Sequence, residues 1–371
     1  MTMKKILLLC GLSNYILYFR SNLIEKLKAE GYEVSVIAFD EKFRAEVETL
    51  GVTFYCIQSS NRSVNPFEIF ALGKQYRKII RAVSPDIVFS FQLKPNTFGV
   101  LAAKKAGVKN IYSMVEGAGD VFINNTLKWK LVRFVVCRLY KKAFRNVRKV
   151  FFLNEDDKQE FIERKLVQSE QCEIIHGIGV DLERFSYRPI KNRRTFLMVA
   201  RMLKTKGIYE YCECARLVRK QYPDAVFKYL GAEGNVKVAD IQEYIDDGSV
   251  RYLGTTNDVR PYFEECFVEV LPSYREGLGL VNVEAGAIGR ASITCNTIGT
   301  KDTVKDGYNG FLVEVGDSKG LAEKAIWCIE HPEEAEQMGR NSRTLAEEYF
   351  DQEKINEKII SILTRKEVKD E

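Results

Sequence analysis

Two glutamates with seven residues between them, Glu276 and Glu284, bracket a glycine-rich turn in residues 271–286, LPSYREGLGLVNVEAG. An apolar run ends at Pro272, the turn follows, and a helical pattern begins near Leu280. Glycine at 277 and 279 permits backbone conformations closed to other residues, so the N–H groups of Gly277, Leu278, Gly279 and Leu280 can converge on an anion. The helix start adds free N–H groups and the positive end of its dipole. One carboxylate then stands at the strand end and the other about one helical turn further on. Spacing alone fits a solvated loop glutamate and a surface helix glutamate equally well.

A second segment, 196–207 (FLMVARMLKTKG), carries the complementary charge. An apolar strand delivers Arg201 into a loop, and Lys206 follows before Gly207 and the next helix. Arginine binds a phosphate through two parallel hydrogen bonds, and lysine acts as a point charge. Taken singly, both residues read as solvated loop cations. That reading weakens once the two segments share one cleft.

The elements that must hold these groups alternate regularly. Near-continuously apolar runs at 5–10, 33–39, 53–58, 86–91, 109–115, 150–153 and 172–176 read as strands, with helical stretches at 16–30, 66–83 and 127–143 among them. The pattern restarts with strands at 195–200, 225–230, 250–254, 267–271, 292–295 and 310–315. Continuous apolarity means burial on both faces, hence parallel sheets with crossover helices. The expected fold class is α/β: two doubly wound, Rossmann-like halves facing across a cleft, with ligands at the carboxyl ends of the strands. The polar stretch 183–194, which contains Pro189, suits a hinge between them.

Composition narrows the function. A chain of 371 residues with 46% apolar content has ample material for two cores. No apolar run reaches the roughly 18–20 residues of a membrane-spanning helix. The run 6–10 is too short for a signal peptide, so a cytoplasmic protein is expected. The nine cysteines include no Cys-x-x-Cys pair, and His176 and His331 cannot complete a zinc ligand set, so no metal is expected. The net charge of +5 divides unevenly. Residues 1–187 carry 29 Lys+Arg against 20 Asp+Glu, or +9; the remainder carries 27 against 31, or −4. Only the first half suits an anionic partner.

Arg201, Lys206, Glu276 and Glu284, in this order, resemble the retaining glycosyltransferases of the GT-B superfamily, family 4, over most of the chain. Residues 177–185 (GIGVDLERF), 250–254 (VRYLG), 270–277 (VLPSYREG) and 306–313 (DGYNGFLV) are similar to the same family. The resemblance implies that Arg201 and Lys206 neutralise the donor diphosphate, together with Gly11 and the turn residues Gly277, Leu278, Gly279 and Leu280. It implies that Glu276 faces the donor sugar, that Glu284 binds the ribose hydroxyls, and that Arg251, Tyr252 and Leu253 lie at the base. Two cations with aligned N–H groups stabilise a departing nucleoside diphosphate without a metal or other cofactor. A carboxylate stabilises an oxocarbenium-like anomeric carbon, as in glycosidases, whether as nucleophile or as an orienting group. The implied domains are an acceptor-binding 1–187, a donor-binding 188–350, and a helix in 351–371 that crosses back to the first.

The amino-terminal half is similar to the subgroup that extends lipid-linked oligosaccharides for capsule, O-antigen or glycoprotein assembly. The carrying segments are 14–20 (NYILYFR), 92–96 (QLKPN) and 114–122 (MVEGAGDVF). A single Gly11 stands where many members have paired glycines, and no histidine occupies the loop 114–122. The resemblance makes Glu116 the acceptor base or a sugar contact. From 121 to 154 there are nine Lys/Arg and no acidic residue, with Trp129, Phe134, Tyr140 and Phe144 interleaved. Such a helix lies readily on an anionic bilayer. Lys128, Lys130, Arg133, Lys141 and Lys142, with Lys94, are the expected acceptor or membrane contacts; a packed crossover helix with a solvated basic face is the other reading.

The expected activity moves a hexose or N-acetylhexosamine from a nucleotide sugar, with UDP as carrier, to a polyprenyl-diphosphate-linked saccharide on the inner face of the cell membrane. A nucleotide-sugar epimerase of the same architecture and a non-catalytic sugar-nucleotide binding subunit are the alternatives. A dehydrogenase is disfavoured, because residues 10–15 follow the first strand in place of Gly-x-Gly-x-x-Gly. Nucleic acid is not expected, since no helix-turn-helix, RNP or zinc signature is present.

Overall fold

The computed structural model describes residues 3–59, 66–117, 120–123 and 126–364. The chain divides into two compact units, residues 1–178 with 353–371, and residues 179–352.

The first unit holds a seven-stranded sheet: β1 Lys4–Leu9, β2 Tyr32–Ala38, β3 Thr53–Cys56, β4 Ile87–Phe91, β5 Asn110–Val115, β6 Lys149–Phe152 and β7 Cys172–Ile174. Its order is β3-β2-β1-β4-β5-β6-β7, and every adjacent pair is parallel. Ile6, Leu7, Leu8 and Leu9 are fully buried because β1 is central and helices cover both faces. The winding reverses between β1 and β4, so a crevice opens at their carboxyl ends.

The second unit repeats this plan with β8 Thr195–Val199, β9 Val226–Leu230, β10 Arg251–Tyr252, β11 Val268–Leu271, β12 Ala291–Cys295 and β13 Gly310–Val313. The order is β10-β9-β8-β11-β12-β13, again all parallel, and the winding reverses between β8 and β11. Phe196 of β8 stacks on Phe227 of β9, ring centres 4.6 Å apart, at the heart of this core. The stretch 183–194 lies inside this unit, where Arg188 N donates to Ile288 O at 3.0 Å.

Each of the thirteen expected strands is present, with ends within two residues of expectation. One expected helix is not. The stretch 16–30 forms two helices, Ser13–Phe19 and Ser21–Ala29, because Arg20 between them has φ −128° and ψ −2°. No proline or glycine marks the break; the Arg20 side chain turns inward there and is 1% exposed. A second surprise is the wide helical turn Pro95–Gly99, which runs directly into Val100–Ala106.

The last helix, Gln352–Thr364, belongs to the first unit from Glu353 onward. Ile355, Ile359, Ile360 and Leu363 are buried, Lys26 is ion-paired with Glu353, and Lys358 Nζ donates to Ile174 O at 2.7 Å. The chain enters and leaves the second unit side by side: Val180 N donates to Phe350 O at 2.8 Å, and Gln352 N to Val180 O at 3.1 Å.

Candidate functional site

In the second unit the residues with chemistry gather at the reversal between β8 and β11. Arg201 follows β8, is exposed, and has no hydrogen-bond or ion-pair partner for its side chain among the described residues. Lys206 ends the short turn Lys204–Lys206, and its Nζ is ion-paired with Glu276 Oε1. Ser273 Oγ donates to the same oxygen at 2.6 Å. Tyr274 ties the two segments together, its N–H reaching Thr205 O at 2.9 Å and its hydroxyl reaching Glu210 at 2.6 Å. Gly207 is required between them: its φ is +73°, and a Cβ there would lie 2.1 Å from Pro272 O.

The glycine-rich turn is built differently from expectation. Neither Gly277 nor Gly279 has a positive φ, and Gly279 sits at φ −68° and ψ 68°. The turn is shaped from outside by residues 298–299. Glu276 N donates to Ile298 O at 3.0 Å and Gly279 N to Gly299 O at 2.9 Å, while Leu280 N reaches Leu278 O at 2.7 Å. The N–H groups of Gly279 and Leu280 are therefore committed within the protein. The residue that needs to be glycine is Gly299, with φ +82° and a hypothetical Cβ 2.3 Å from Glu276 O. Gly279 serves close packing instead, since a Cβ would meet Asn282 Nδ2 at 3.0 Å.

Glu284 lies in the helix Leu280–Ile288, and burial pushes its carboxyl up to about 7, opposed by the positive charge of Arg184. Beneath the site is a third carboxyl, Glu269 on β11, fully buried and in register with Leu197 and Ser292. Among the described residues no donor meets either of its oxygens in hydrogen-bond geometry. Burial pushes it up to about 8, the nearby Glu276 and Glu284 charges add to the rise, and Ser292 opposes it. Around the expected base position, Arg251 is exposed, the Tyr252 hydroxyl donates to Gly231 O at 3.0 Å, and Leu253 N donates to Tyr229 O at 2.8 Å.

Gly11 and Glu116 lie in the first unit, at the ends of β1 and β5. Gly11 N donates to Gln92 Oε1 at 2.9 Å across the reversal of that sheet. Glu116 is ion-paired with Arg20. Lys94 is buried, at 7% exposure, and so presents little surface to any bilayer. Of the loop 114–122, residues 118 and 119 lie outside the described residues.

The helix Leu127–Phe144 has a mixed face. Leu127, Leu131, Phe134 and Val135 are exposed, Leu127 at 85%, and so are Lys128, Lys130, Lys141 and Lys142. Arg133 turns back, its Nε donating to Val121 O at 2.8 Å. Two of the interleaved aromatics point the other way: Tyr140 and Phe144 are buried and pack against Phe161. Among the described residues no helix is long and apolar enough to cross a membrane, and no group of three or more His, Cys, Asp or Glu side chains could hold a metal ion.

Arg20, Glu269 and Gly299 escaped the sequence reading. An arginine inside a helical pattern, a glutamate in a strand and a glycine in a loop carry no local mark of a buried or site-shaping role.

Comparison with known proteins gives matches in both units. Residues 5–154 match the family described as glycosyl transferase 4-like, and residues 180–345 match glycosyl transferases group 1. The chain is 29% identical over 348 residues to the N,N'-diacetylbacillosaminyl-diphospho-undecaprenol alpha-1,3-N-acetylgalactosaminyltransferase of Campylobacter jejuni, covering 90% of this chain and 92% of that one. It is 29% identical over 258 residues to the UDP-Gal:alpha-D-GlcNAc-diphosphoundecaprenol alpha-1,3-galactosyltransferase of Escherichia coli, covering 65% of each. Among solved structures, Anabaena HepE in complex with UDP and glucose matches 97% of this chain and 99% of its own, with a TM-score of 0.80 at 19% identity. At that identity the likeness is one of fold.

Proposed function

Because the chain belongs to the glycosyltransferases, with a 4-like domain followed by a group 1 domain, we propose that it transfers a hexose or N-acetylhexosamine from a UDP-sugar to a polyprenyl-diphosphate-linked saccharide, with retention at the anomeric carbon. The observation that carries the reading is the set of charged residues at the β8/β11 reversal: Lys206 paired with Glu276, and Arg201 after β8 with no side-chain partner among the described residues. The two relatives above, by their names, act on diphospho-undecaprenol and diphosphoundecaprenol saccharides.

On this reading Arg201 and Lys206 take the donor diphosphate and stabilise the charge that develops as it leaves. Lys206 exchanges Glu276 for phosphate oxygen, and Glu276, still held by Ser273, turns its charge to the anomeric carbon. Glu284 accepts the ribose hydroxyls. The acceptor hydroxyl attacks on the face the diphosphate leaves and yields its proton to a base, the role read for Glu116. The cations carry the phosphate charge, so no metal is needed. The exposed apolar and basic residues of Leu127–Phe144 hold the protein on the anionic inner face of the membrane.

The test is transfer itself: purified protein, a panel of UDP-sugars and an undecaprenyl-diphosphate saccharide, with product extracted into solvent and its anomeric configuration read by NMR. An α-linked product formed in excess chelator is expected. An inverted product refutes retention, loss of activity in chelator refutes metal independence, and interconversion of the UDP-sugar without acceptor makes the protein an epimerase.

A further inference from the structure

Among the described residues two arginines are buried to 1% or less, and they are used differently. Arg290 spends its donors on main-chain carbonyls: Nε on Phe263 O at 2.9 Å, Nη1 on Arg188 O at 2.6 Å, Nη2 on Glu264 O at 3.0 Å. That is a structural clamp. Arg20 gives one carbonyl bond, Nη1 to Phe19 O at 3.2 Å, and its Nε has no partner among the described residues. Its Nη2 meets the Tyr15 hydroxyl, Met114 Sδ at 3.2 Å and Glu116 Oε1. The guanidinium is wedged 4.3 Å from the centre of the Phe91 ring and 5.1 Å from that of Tyr15.

The ion pair is lopsided. Arg20 is 1% exposed and Glu116 17%. Only Oε1 of Glu116 is engaged; Oε2 has no partner among the described residues and is not a buried atom. A charge withdrawn from water is costly unless its donors are satisfied, and here the main counter-charge is one half-open carboxylate. We propose that Arg20 is the positioning residue of the acceptor site, fixing Glu116 through Oε1 so that Oε2 accepts the hydrogen bond of the acceptor's attacking hydroxyl. This rests on the reading of the first unit as the acceptor half.

Burial pushes the Glu116 carboxyl up to about 8 and the Arg20 guanidinium down to about 9. Their contact favours both charged forms. Removing Arg20 takes away the cation in contact with Glu116, so the carboxyl keeps its proton to a still higher pH and is a full acceptor of hydrogen bonds only above it. Among the described residues the other titratable groups beside the pair are the Cys10 thiol, raised by burial and so neutral, and the Tyr15 hydroxyl.

The full chain is assayed as Arg20→Met, Arg20→Lys and Glu116→Gln, with the Glu116 carboxyl carbon followed by NMR and assigned by its loss in Glu116→Gln. Arg20→Met should lower acceptor kcat/KM by at least about tenfold and leave donor binding within roughly twofold. The Glu116 titration and the acid limb of the rate profile should both move up by about one pH unit, and Arg20→Lys should bring them back toward wild type. Added to Glu116→Gln, Arg20→Met should cost nothing further, whereas an arginine that only supports the fold costs the same in either background. If Arg20→Met does not fold, Arg20→Gln, which keeps hydrogen-bond donors and removes the charge, takes its place in both comparisons. An unmoved Glu116 titration in the charge-removing variant, or additive losses in the double variant, overturns the proposal. Failure of the functional reading looks different: wild type then transfers no sugar, while the Glu116 resonance still responds to Arg20.

Discussion

Lys206 and Glu276 neutralise each other at the head of the second sheet, with Ser273 as a second support for the carboxylate. On the proposed role, Glu276→Gln keeps the size and the Ser273 contact and removes the charge. Turnover should fall by about two to three orders of magnitude, with donor affinity by calorimetry nearly unchanged. A variant that keeps more than about half of wild-type turnover excludes Glu276 as the charge facing the sugar. Glu284 makes a pH prediction. Its carboxyl, raised to about 7, must be ionised to accept two ribose hydroxyls, so donor binding releases a proton. Affinity for a UDP-sugar should therefore rise about tenfold from pH 6 to pH 8 and then level off, and Glu284→Gln should flatten the curve. A wild-type affinity independent of pH in that window sinks the ribose role. Arg201, Lys206, Glu276 and Glu284 were legible as a group because they flank glycine-containing turns that follow strands. Glu269 and Arg20 were not, because burial and a break in the backbone belong to the packed structure rather than to any residue pattern.

The strands were read well for a simple reason. A strand covered on both faces must be apolar at consecutive positions, so β1 and β4 announce themselves. The break at Arg20 was invisible because it is driven by a side-chain destination instead of a proline or glycine. The helix Leu127–Phe144 was legible in its position and only half so in its faces, since Tyr140 and Phe144 belong to the core. Its exposed Leu127, Leu131, Phe134 and Val135, set among lysines, motivate a membrane test. Reversing Lys128, Lys130, Lys141, Lys142 and Arg145 together to Glu should release the protein from anionic vesicles at low salt, because each removed cation takes away attraction that salt also screens. Activity on a short soluble acceptor should survive. Sedimentation of the charge-reversed protein with the vesicles, or failure of wild type to sediment at all, makes the stretch a solvated crossover helix.

At the scale of the whole molecule, the two units are not two consecutive halves of the chain. The first is finished only by the last helix, whose Ile355, Ile359, Ile360 and Leu363 each contribute roughly 1.5–3 kcal/mol of burial as an upper estimate. Ending the chain after Asp351 should therefore loosen the first unit and spare the second. Hydrogen exchange should quicken in peptides around Asn22, Lys26 and Ile174, which touch that helix, and stay slow in β8 to β13. Equal exchange in the truncated and full-length first unit would remove the helix from its fold.

The same arrangement sets an order of manufacture. A ribosome delivers seven strands of the first sheet, then the whole of the inserted unit, and only then the helix that completes what it began. At roughly 5–20 residues per second, the early sheet waits on the order of 10–40 s for its final piece. The inserted unit, with its entry and exit strands already clasped at Val180 and Phe350, can close in the meantime. For that interval the nascent chain carries a finished second unit and an unfinished first one, with the apolar seat of the final helix bare to whatever passes.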